Sequence, residues 1–294
     1  MKTLDKDILT LIADVGKLSK SQRSIATYIQ NGYEKAAFMT AGKLAAVVGV
    51  SEATVVRFAQ ELGYGSYPEM RRALQDMVRG RLTSVQRIAV ARELTEGGDI
   101  LHHVLSSDID QIRQTLEDIS HADFEAATDA VVSARNIYIF GLRSSSALAH
   151  FMGFYFNLLF ENVHVVNEAS SLEVFEQILR ISTGDVFIAL SFPRYSKRTI
   201  RAMRYARDMG ATVIGITDNN VSPIAKLSDI CLYARSDMVS FLDTLVAPLS
   251  LVNALIVAVS AKTGNDVTAS FERLEQIWNE YGVYEKSEEE KSDV

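Results

Sequence analysis

The second half of the sequence alternates short runs typical of buried β-strands with stretches of helical pattern. From about residue 122 onward, the β-rich runs are 137–140, 163–166, 186–190, 212–217 and 230–233. Strands that alternate with helices form parallel sheets with helices on both faces, so the pattern predicts a doubly wound α/β domain with a five-stranded parallel sheet. Ligands of such sheets bind beyond the carboxyl ends of the strands, and the loops that follow the strands are therefore the first candidates for a site.

Two of these strand ends carry hydroxyl groups and cations at the start of a helix. The run 137–140 leads through Gly141 into an Arg-Ser-Ser-Ser sequence, and the run 186–190 leads into a loop with three serine or threonine residues. Hydroxyl groups, guanidinium groups and the first N–H groups of a helix all favour an anion. The predicted effector-binding residues are Arg143, Ser144, Ser145, Ser146, Ser191, Arg194, Ser196 and Thr199.

Each loop taken alone has a second interpretation, because serine is also an ordinary helix cap and turn residue. The two loops together favour an anion site. Gly141 is the only glycine in the first loop, where dinucleotide binding calls for three, and the sequence contains no P-loop string. We therefore predict an anionic metabolite as the ligand, and no cofactor.

The first eighty residues predict three short helices with a tight turn between the last two. The sequence 19–22 has the form of a capping box, and the helix that it starts is expected to end at Gly32. Thr40 caps a second helix, Gly49 suits a positive φ in the turn, and a third helix is expected over 52–62. Apolar residues at the inward positions of the last two helices predict a helix-turn-helix.

The outer face of the third helix is polar and carries Arg57, which can donate two hydrogen bonds to the edge of a guanine. Ser51 and Thr54, near the start of that helix, can contact a phosphate. The predicted DNA-binding residues are Lys43, Ser51, Glu52, Ala53, Thr54, Arg57, Gln60, Arg71 and Arg72. The alternative is a three-helix packing module that binds no DNA.

Charge is distributed unevenly along the chain. The formal net charge is −7, which argues against a protein coated all over in positive charge for nucleic acid. Residues 1–80 nevertheless carry an excess of Lys and Arg, and the acidic excess lies in the rest of the chain. The positive potential belongs to the N-terminal segment, where it supports DNA binding only together with the motif.

The sequence gives little support for a disulfide bond, a metal site or a membrane-spanning helix. Cys231 is the only cysteine, so an intramolecular disulfide is excluded, which fits a cytoplasmic protein. Cys231 lies in an apolar run and is therefore expected in the core. The five histidines do not fall at metal-ligand spacing, and we predict no metal. The apolar stretch 245–260 is interrupted by Pro248 and Asn253 and is interpreted as a helix buried in protein, and the N-terminus shows no apolar signal segment.

The segment from Leu18 through Ala73 resembles the helix-turn-helix of the RpiR family of bacterial transcription regulators. The family's string Val-Ser-x-Ala-Thr-Val-x-Arg-Phe, followed by Leu-Gly-Tyr/Phe, is present without departure at 50–58 and 62–64. The resemblance implies a regulator that binds double-stranded DNA, and the symmetry of such proteins implies a palindromic operator and self-association as a dimer or tetramer.

Residues 123–264 resemble the SIS (sugar isomerase) domain, which follows the helix-turn-helix in that family and senses phosphorylated sugars. The hydroxyl residues that match the family's two phosphate loops are Ser145, Ser146, Ser191, Ser196 and Thr199. The second loop departs from the family's Ser-x-Ser-Gly-x-Thr pattern, because Pro193-Arg194 stands where Ser-Gly is expected. One hydroxyl and one flexible backbone position are lost and a cation is gained, which indicates a different, more acidic ligand.

These observations predict a regulator of carbohydrate-metabolism genes that responds to a phosphorylated sugar, with no catalytic residues and no membrane partner. The predicted domains are a helix-turn-helix at 1–80, a helical linker at 81–120, a SIS-like domain at 121–265, and a terminal helix with an acidic tail at 266–294. The alternative is a sugar-phosphate isomerase, which needs an acid or base over the sugar. The two loops contain no carboxylate or histidine, and the nearest candidate, Glu168, is interpreted as a helix cap. The helix 150–160 is apolar nearly all round and is expected to be covered partly by another subunit.

Overall fold

The computed structural model describes residues 8–79, 85, 88, 99–167, 171–238, 242–263 and 266–283. Contacts between Cα atoms divide the chain into two compact units, Met1–Leu105 with Met238–Asp243, and Ser106–Asp237 with Thr244–Val294. This division differs from the predicted linker at 81–120, because the part of that segment from Ser106 onward groups with the second unit. The predicted acidic tail, from residue 286, lies outside the described residues.

The N-terminal unit contains a run of short helices whose starts are capped by side chains. The helices are α1 (Ile8–Asp14), α2 (Lys20–Ala36), α3 (Ala41–Val48), α4 (Glu52–Glu61) and α5 (Tyr67–Arg79). Ser19 and Gln22 form the predicted capping box at the start of α2. The side chains of Thr40 and Ser51 accept hydrogen bonds from the backbone at the starts of α3 and α4. These contacts satisfy N–H groups that a helix start leaves without partners.

Two glycines shape this unit in different ways. Gly49 ends α3 with φ 76° and provides the left-handed turn into α4, as the sequence predicts. Gly32 was expected to end α2, and that expectation is wrong, since the helix bends there (φ −153°, ψ 42°) and continues to Ala36. Ala36 is completely buried, so packing of the last turn keeps it helical.

The helices of the N-terminal unit enclose their own hydrophobic core. Its fully buried large side chains are Ile25, Ile29, Leu44, Phe58, Met70 and Leu74. The hydroxyl of Tyr67 reaches into this core and donates a 2.9 Å hydrogen bond to the carbonyl of Met39. Burial raises the pKa of Tyr67 to about 12, so the group remains a donor at every physiological pH.

The C-terminal unit contains the strands that the sequence predicts. The elements of this region are α6 (Ile100–Asp118), α7 (His121–Val132), β1 (Ile137–Gly141), α8 (Ser144–Leu159), β2 (Val163–Val166), α9 (Ser171–Gln177), β3 (Val186–Leu190), α10 (Lys197–Asp208), β4 (Thr212–Thr217), β5 (Ile230–Tyr233), α11 (Val246–Thr263) and α12 (Asp266–Tyr281). The strands form one parallel sheet in the order β2-β1-β3-β4-β5. The prediction of a five-stranded parallel sheet is therefore confirmed.

The sheet is covered on both faces, because successive side chains of a strand point to opposite sides. Val186, Ile188 and Leu190 of β3 pack on one face with α7, α8 and α11, whereas Phe187 and Ala189 pack on the other with α9 and α10. The chain thus leaves β1 toward one face and leaves β3 toward the other. Helices α8 and α10 begin at the same edge of the sheet on opposite sides.

The second half of α6 is hydrogen bonded to the segment that follows β5. The amide of Asp237 donates to Gln111 Oε1 at 2.6 Å, and the amide of Arg235 donates to Thr115 Oγ1 at 2.9 Å. The Arg235 guanidinium also pairs with Asp118 at 3.0 Å. These bonds explain why this part of the predicted linker groups with the α/β unit.

Among the described helices, α11 alone is long and apolar enough to cross a membrane. It corresponds to the stretch that the sequence analysis interprets as a buried helix. Its buried side chains, among them Leu251, Leu255 and Val259, belong to the hydrophobic core on one face of the sheet. A helix that forms part of a protein core passes the same test of length and composition.

Cys231 lies in β5 and is half-buried, so the expectation that it belongs to the core holds only in part. Burial raises the pKa of its thiol to about 11. The side chain is therefore a neutral thiol at physiological pH, which makes it a weak nucleophile.

Candidate functional sites

Helix α4 presents a polar face to solvent because its apolar side chains are buried in the core. Val55, Phe58 and Ala59 are completely buried. Of the predicted DNA-binding residues, those exposed are Lys43, Ser51, Glu52, Ala53, Arg57 and Gln60, and those half-buried are Thr54, Arg71 and Arg72. The face that the sequence assigns to base recognition is accessible.

Arg57 is held along its own helix. Its Nε donates a 3.3 Å hydrogen bond to the carbonyl of Ala53, one turn earlier. The two terminal amino groups remain as the donors suited to a guanine edge. An open polar groove of about 770 Å³ runs beside this residue, and its lining is Ser19, Ser21, Gln22, Thr54, Arg57, Gln60 and Glu61.

Sequence reasoning missed the contribution of α2 to this groove. Ser19 and Gln22 had been assigned only a capping role, which they do fill, and Ser21 had been assigned none. Ser51 and Thr54 also have a local role, since their hydroxyl oxygens lie 2.8 Å apart and Ser51 Oγ accepts from the amide of Thr54. The hydroxyl groups at the start of α4 are thus oriented by the cap itself.

Arg71 differs from the other candidate cations. Its Nε is buried and has no hydrogen-bond partner within the described part of the chain. The guanidinium also lies close enough to Tyr67 to oppose the rise in pKa of that hydroxyl. The side chain therefore packs against the helical unit over part of its length.

The loops after β1 and β3 meet at the point where the strand order reverses. In the register of these neighbouring strands, Gly141 lies opposite Leu190. The two following helices leave toward opposite faces, so a crevice forms between the loops. In open α/β sheets this switch point is the usual place for a ligand. Both predicted effector loops border it.

The first loop turns sharply before α8. Arg143 has φ 57° and ψ −126°, a conformation that L side chains rarely adopt. The amides of Ser145 and Ser146 donate to the carbonyls of Leu142 and Arg143 at 3.1 and 3.0 Å, so the expectation that these N–H groups are free for a ligand is wrong. The Ser146 hydroxyl also donates a 2.6 Å hydrogen bond to the carbonyl oxygen of Arg143. Ser145 is buried, whereas Arg143 and Ser144 are exposed.

Gly141 is required by the close approach of this turn to the end of β1. A Cβ atom at this position would overlap the backbone carbonyl of Ser145. The single glycine of the loop therefore has a packing role, which is different from the phosphate approach that glycines provide in dinucleotide sites.

The second loop separates a capping residue from a buried hydroxyl. Ser196 Oγ accepts from the amides of Arg198 and Thr199 at 3.2 and 3.5 Å and caps α10. Thr199 is 0% exposed, and its Oγ1 has no hydrogen-bond partner among the described residues. Ser191 is buried as well, and Arg194 is exposed with φ 60°. The hydroxyl of Ser196 is thus used by the helix cap, whereas that of Thr199 is not.

The loop after β4 adds residues that sequence reasoning missed. The hydroxyl of Tyr195 donates to Asp218 Oδ1 at 2.7 Å, and Asn219 Nδ2 donates to Asp218 Oδ2 at 2.7 Å. The Thr217 hydroxyl donates to Oδ1 at 3.2 Å. A Thr-Asp-Asn sequence at the end of a strand was the available signal. Glu168, the carboxylate that was considered, lies outside the described residues.

Two family models match separate parts of the chain. Residues 7–79 match the helix-turn-helix domain of the rpiR family, and residues 131–258 match the SIS domain. The chain is therefore a helix-turn-helix transcriptional regulator with a SIS domain. It belongs to the RpiR family, as the sequence resemblance predicts.

Similar proteins match this chain over one or both of these domains. The transcriptional regulator HexR of Pseudomonas aeruginosa is 26% identical over 270 residues, which are 88% of this chain and 91% of HexR. The sugar isomerase domain of an RpiR transcription factor from Sphaerobacter thermophilus is 27% identical with a TM-score of 0.56, and the match covers 59% of this chain and 96% of that domain. The Vibrio vulnificus NanR protein, complexed with ManNAc-6P, shares the fold with 23% identity and a TM-score of 0.57 over 93% of this chain and 98% of NanR.

Proposed function

We propose that the protein regulates carbohydrate-metabolism genes by binding palindromic operators, and that a phosphorylated sugar or related anionic metabolite modulates this binding. The effector is assigned to the crevice between the loops after β1 and β3. The observation that carries the proposal is the buried hydroxyl of Thr199, which has no partner in the described part of the chain and lies in the first turn of α10 at this crevice.

The exposed face of α4 supports the DNA-binding half of the proposal. Arg57 provides a bidentate donor for a base edge, and Lys43 provides a cation for the phosphate backbone. Two such helices reach successive major grooves of a palindrome when they are about 34 Å apart, which a dimer can arrange.

A DNA-binding assay tests this half directly. The full-length protein should bind its own promoter region at submicromolar concentration in moderate salt, and Arg57→Ala should abolish the preference over a scrambled duplex. Arg113→Ala, which removes an exposed arginine from α6, is the charge-matched control and should retain the preference. Equal affinity of the unmodified protein for promoter and scrambled DNA would contradict the proposal that it recognises an operator sequence.

The proposed effector site depends on buried hydroxyl groups in the loops after β1 and β3, where the strand order reverses. Ser145 and Ser191 are each 5% exposed, and Thr199 is fully buried. The Thr199 oxygen has no hydrogen-bond partner in the described chain. A buried polar group without a partner costs roughly 1–3 kcal/mol, which a ligand that hydrogen bonds to it recovers.

A thermal-shift screen tests this half. At least one member of a panel of phosphorylated sugars should raise the melting temperature, because a ligand that binds only the folded state stabilises it. The double variant Ser145→Ala, Ser191→Ala should lose the shift. An unchanged response of the double variant, or no stabilising ligand in the panel, would show that the effector binds elsewhere or that it is of another class.

Self-association is part of the proposal, and an apolar surface of α6 supports it. Ile109, Ile112 and Leu116 lie on one face of the helix and are 55%, 36% and 70% exposed. Ile112 and Leu116 line an apolar groove of about 260 Å³ that residues of α7 and α11 complete. On α8, Phe154 is 62% exposed, in accord with the expectation that part of this helix is covered by a second subunit.

Light scattering after size-exclusion chromatography measures the oligomeric state. Leu116→Glu should shift a dimer or tetramer toward monomers, whereas Glu117→Lys, at an exposed position of the same helix outside this face, should not. A protein that is monomeric at micromolar concentration before any substitution would contradict this part of the proposal.

We further propose that the crevice binds its ligand without catalysis, in a cytoplasmic protein. An isomerase needs an acid or base free to exchange a proton with the sugar. Asp218, the carboxylate that the fold brings to the loops, accepts hydrogen bonds from three side chains and thereby holds two loops together. A stabilising sugar phosphate should be recovered unchanged after incubation, and conversion between aldose and ketose phosphates would overturn this statement.

A further inference from the structure

Two arginines in the described residues have positive φ values, and both border the crevice. Arg143 has φ 57° and Arg194 has φ 60°, and they are the only non-glycine residues of the described chain in this region. This conformation costs a non-glycine residue about 1–2 kcal/mol, and glycine adopts it freely. Strain of this kind persists where the surrounding structure imposes it, and it clusters at ligand-binding and active sites.

The two arginines belong to opposite sides of the sheet edge. Arg143 precedes α8, whose buried side chains Met152 and Phe156 pack on one face. Arg194 precedes α10, whose Ala202 and Met203 pack on the other face. The crevice therefore has a helix start and an exposed guanidinium group on each of its two sides.

The second side also contains a buried polar atom without a hydrogen-bond partner in the described chain. Thr199 lies in the first turn of α10, is fully buried, and has an Oγ1 without a partner in the described chain. Ser196 already occupies the cap of that helix, so the Thr199 hydroxyl is not needed to satisfy the backbone. This observation is independent of the arginines and of the helix dipole.

We propose that the effector carries two separate anionic groups, one at the start of α8 and one bound by Arg194 and Thr199 at the start of α10. The ligand class is a phosphorylated sugar with a carboxylate or a second phosphate at its far end. A single phosphate would satisfy one side of the crevice and leave the other guanidinium without a counter-charge from the ligand. This inference rests on the proposed function, since it specifies the metabolite that the same crevice binds.

Matched ligand pairs test the inference by calorimetry on the full-length protein. Glucose 6-phosphate and 6-phosphogluconate differ by a carboxylate, and fructose 6-phosphate and fructose 1,6-bisphosphate differ by a second phosphate. The member with two anionic groups should bind at least tenfold more tightly in one pair or both, and the pair that shows the difference identifies the second group. If the member with one anionic group binds as tightly as its partner in both pairs, the inference is overturned and the proposed function stays in place.

The variant Arg194→Gly separates the second subsite from the first. Glycine accepts φ 60° without strain, so the variant should fold with no loss of stability. It should remove most of the preference for two anionic groups, and it should change the affinity for the member with one anionic group less than twofold. Arg201→Ala, on the exposed face of α10, removes the same charge and should leave the preference intact.

The outcomes distinguish this inference from the proposed function. Equal weakening of both members of a pair by Arg194→Gly would show that Arg194 contributes only general charge, and the inference would be wrong. If no member of either pair binds and no sugar phosphate of the wider panel shifts the melting temperature, the proposed function fails and the inference fails with it.

Discussion

The hydroxyl of Tyr195 donates a 2.7 Å hydrogen bond to Oδ1 of Asp218 and joins the loop after β3 to the end of β4. Asn219 Nδ2 lies 3.4 Å from the same hydroxyl and donates to it. The second effector loop is therefore anchored to its neighbouring strand by a bond to a charged group, the stronger kind of hydrogen bond. This anchor sets where Arg194 and Ser196 stand relative to the crevice.

Tyr195→Phe should lower both the stability and the effector affinity. The ring is kept, while the hydroxyl loses its bonds with Asp218 and Asn219, so we expect a loss of about 1.5 kcal/mol in the free energy of unfolding measured in urea. Tyr205→Phe is the matched control, because the Tyr205 hydroxyl makes an exposed 3.4 Å bond to Leu179 and its loss should cost less than about 0.5 kcal/mol. Identical behaviour of the two variants would show that the loop does not depend on this anchor.

Thr199→Val should have opposite effects on the empty and the ligand-bound protein. Valine removes a buried hydroxyl that lacks a partner, so the free energy of unfolding without ligand should stay the same or rise by about 1 kcal/mol, while the ligand-induced shift in melting temperature should fall.

The control for that substitution is Thr128→Val. Thr128 is also buried, but its hydroxyl donates a 2.8 Å bond to the carbonyl of Phe124. This variant should lose about 1 kcal/mol and keep its response to the ligand. A loss of stability in Thr199→Val as large as that in Thr128→Val would mean that the Thr199 hydroxyl has a structural partner.

Lys43→Ala should weaken DNA binding in a different way from Arg57→Ala. A lysine that contacts a phosphate contributes equally to all sequences, so its loss should lower the affinity for promoter and scrambled duplex alike and reduce the slope of log K against log salt by about 1. Loss of a bidentate base contact by Arg57 should instead cost about 1–3 kcal/mol on the operator only. Titrations at several salt concentrations measure both quantities, and a sequence-dependent effect of Lys43→Ala would rule out a pure phosphate contact.

Gly141→Ala should destabilise the α/β unit, since the added Cβ overlaps the backbone of Ser145 at the start of α8. We expect a loss of roughly 1–3 kcal/mol, typical of an overpacked site, together with weaker effector binding. Gly32→Ala is the control, because a Cβ at Gly32 meets nothing within 4 Å. Urea unfolding of both variants checks the prediction, and an unaffected Gly141→Ala protein would show that the loop can shift without cost.

Asp185 should make the stability depend on pH in the acidic range. Burial alone would raise the pKa of this carboxyl, but hydrogen bonds from Arg135, Asn136 and the amide of Ser182 outweigh burial and hold the pKa below its usual value. A lowered pKa in the folded state gives stability that is present above the unfolded pKa of about 3.9 and is lost as the pH falls through the folded value.

The difference in unfolding free energy between the unmodified protein and Asp185→Asn should therefore be constant from pH 7 to about pH 5 and shrink below about pH 4. Asp129→Asn removes a carboxylate from an exposed pair with Lys262 and should show little such dependence. A pH-independent difference for Asp185→Asn would mean that its carboxyl is not held in the charged form.

Contacts between residues close in sequence were the most predictable. The capping box of Ser19 and Gln22, the Thr40 cap and the left-handed Gly49 each depend on atoms within one helical turn, and each is present. The same kind of reasoning was wrong at Gly32, where burial of Ala36 in the unit's core overrides a local stop signal. Local propensity therefore decides where a helix ends only if tertiary packing does not favour a different end.

The effector loops were predictable as segments, but the roles of their residues were not. Ser146 and Ser196 are bound within their own turns, whereas Ser145, Ser191 and Thr199 are buried. A list of hydroxyl residues does not separate these two groups, because the separation depends on which oxygen the local backbone already uses.

The amino-acid sequence by itself determined the family, the five strands and the accessible face of α4, since these follow from periodicity and motifs that span a few residues each. Only the tertiary structure decided that β1 and β3 are neighbours, that α8 and α10 leave toward opposite faces, and that Asp218 reaches Tyr195. Strand order depends on pairing between segments that are tens of residues apart in the sequence. A local sequence pattern does not indicate which strands pair.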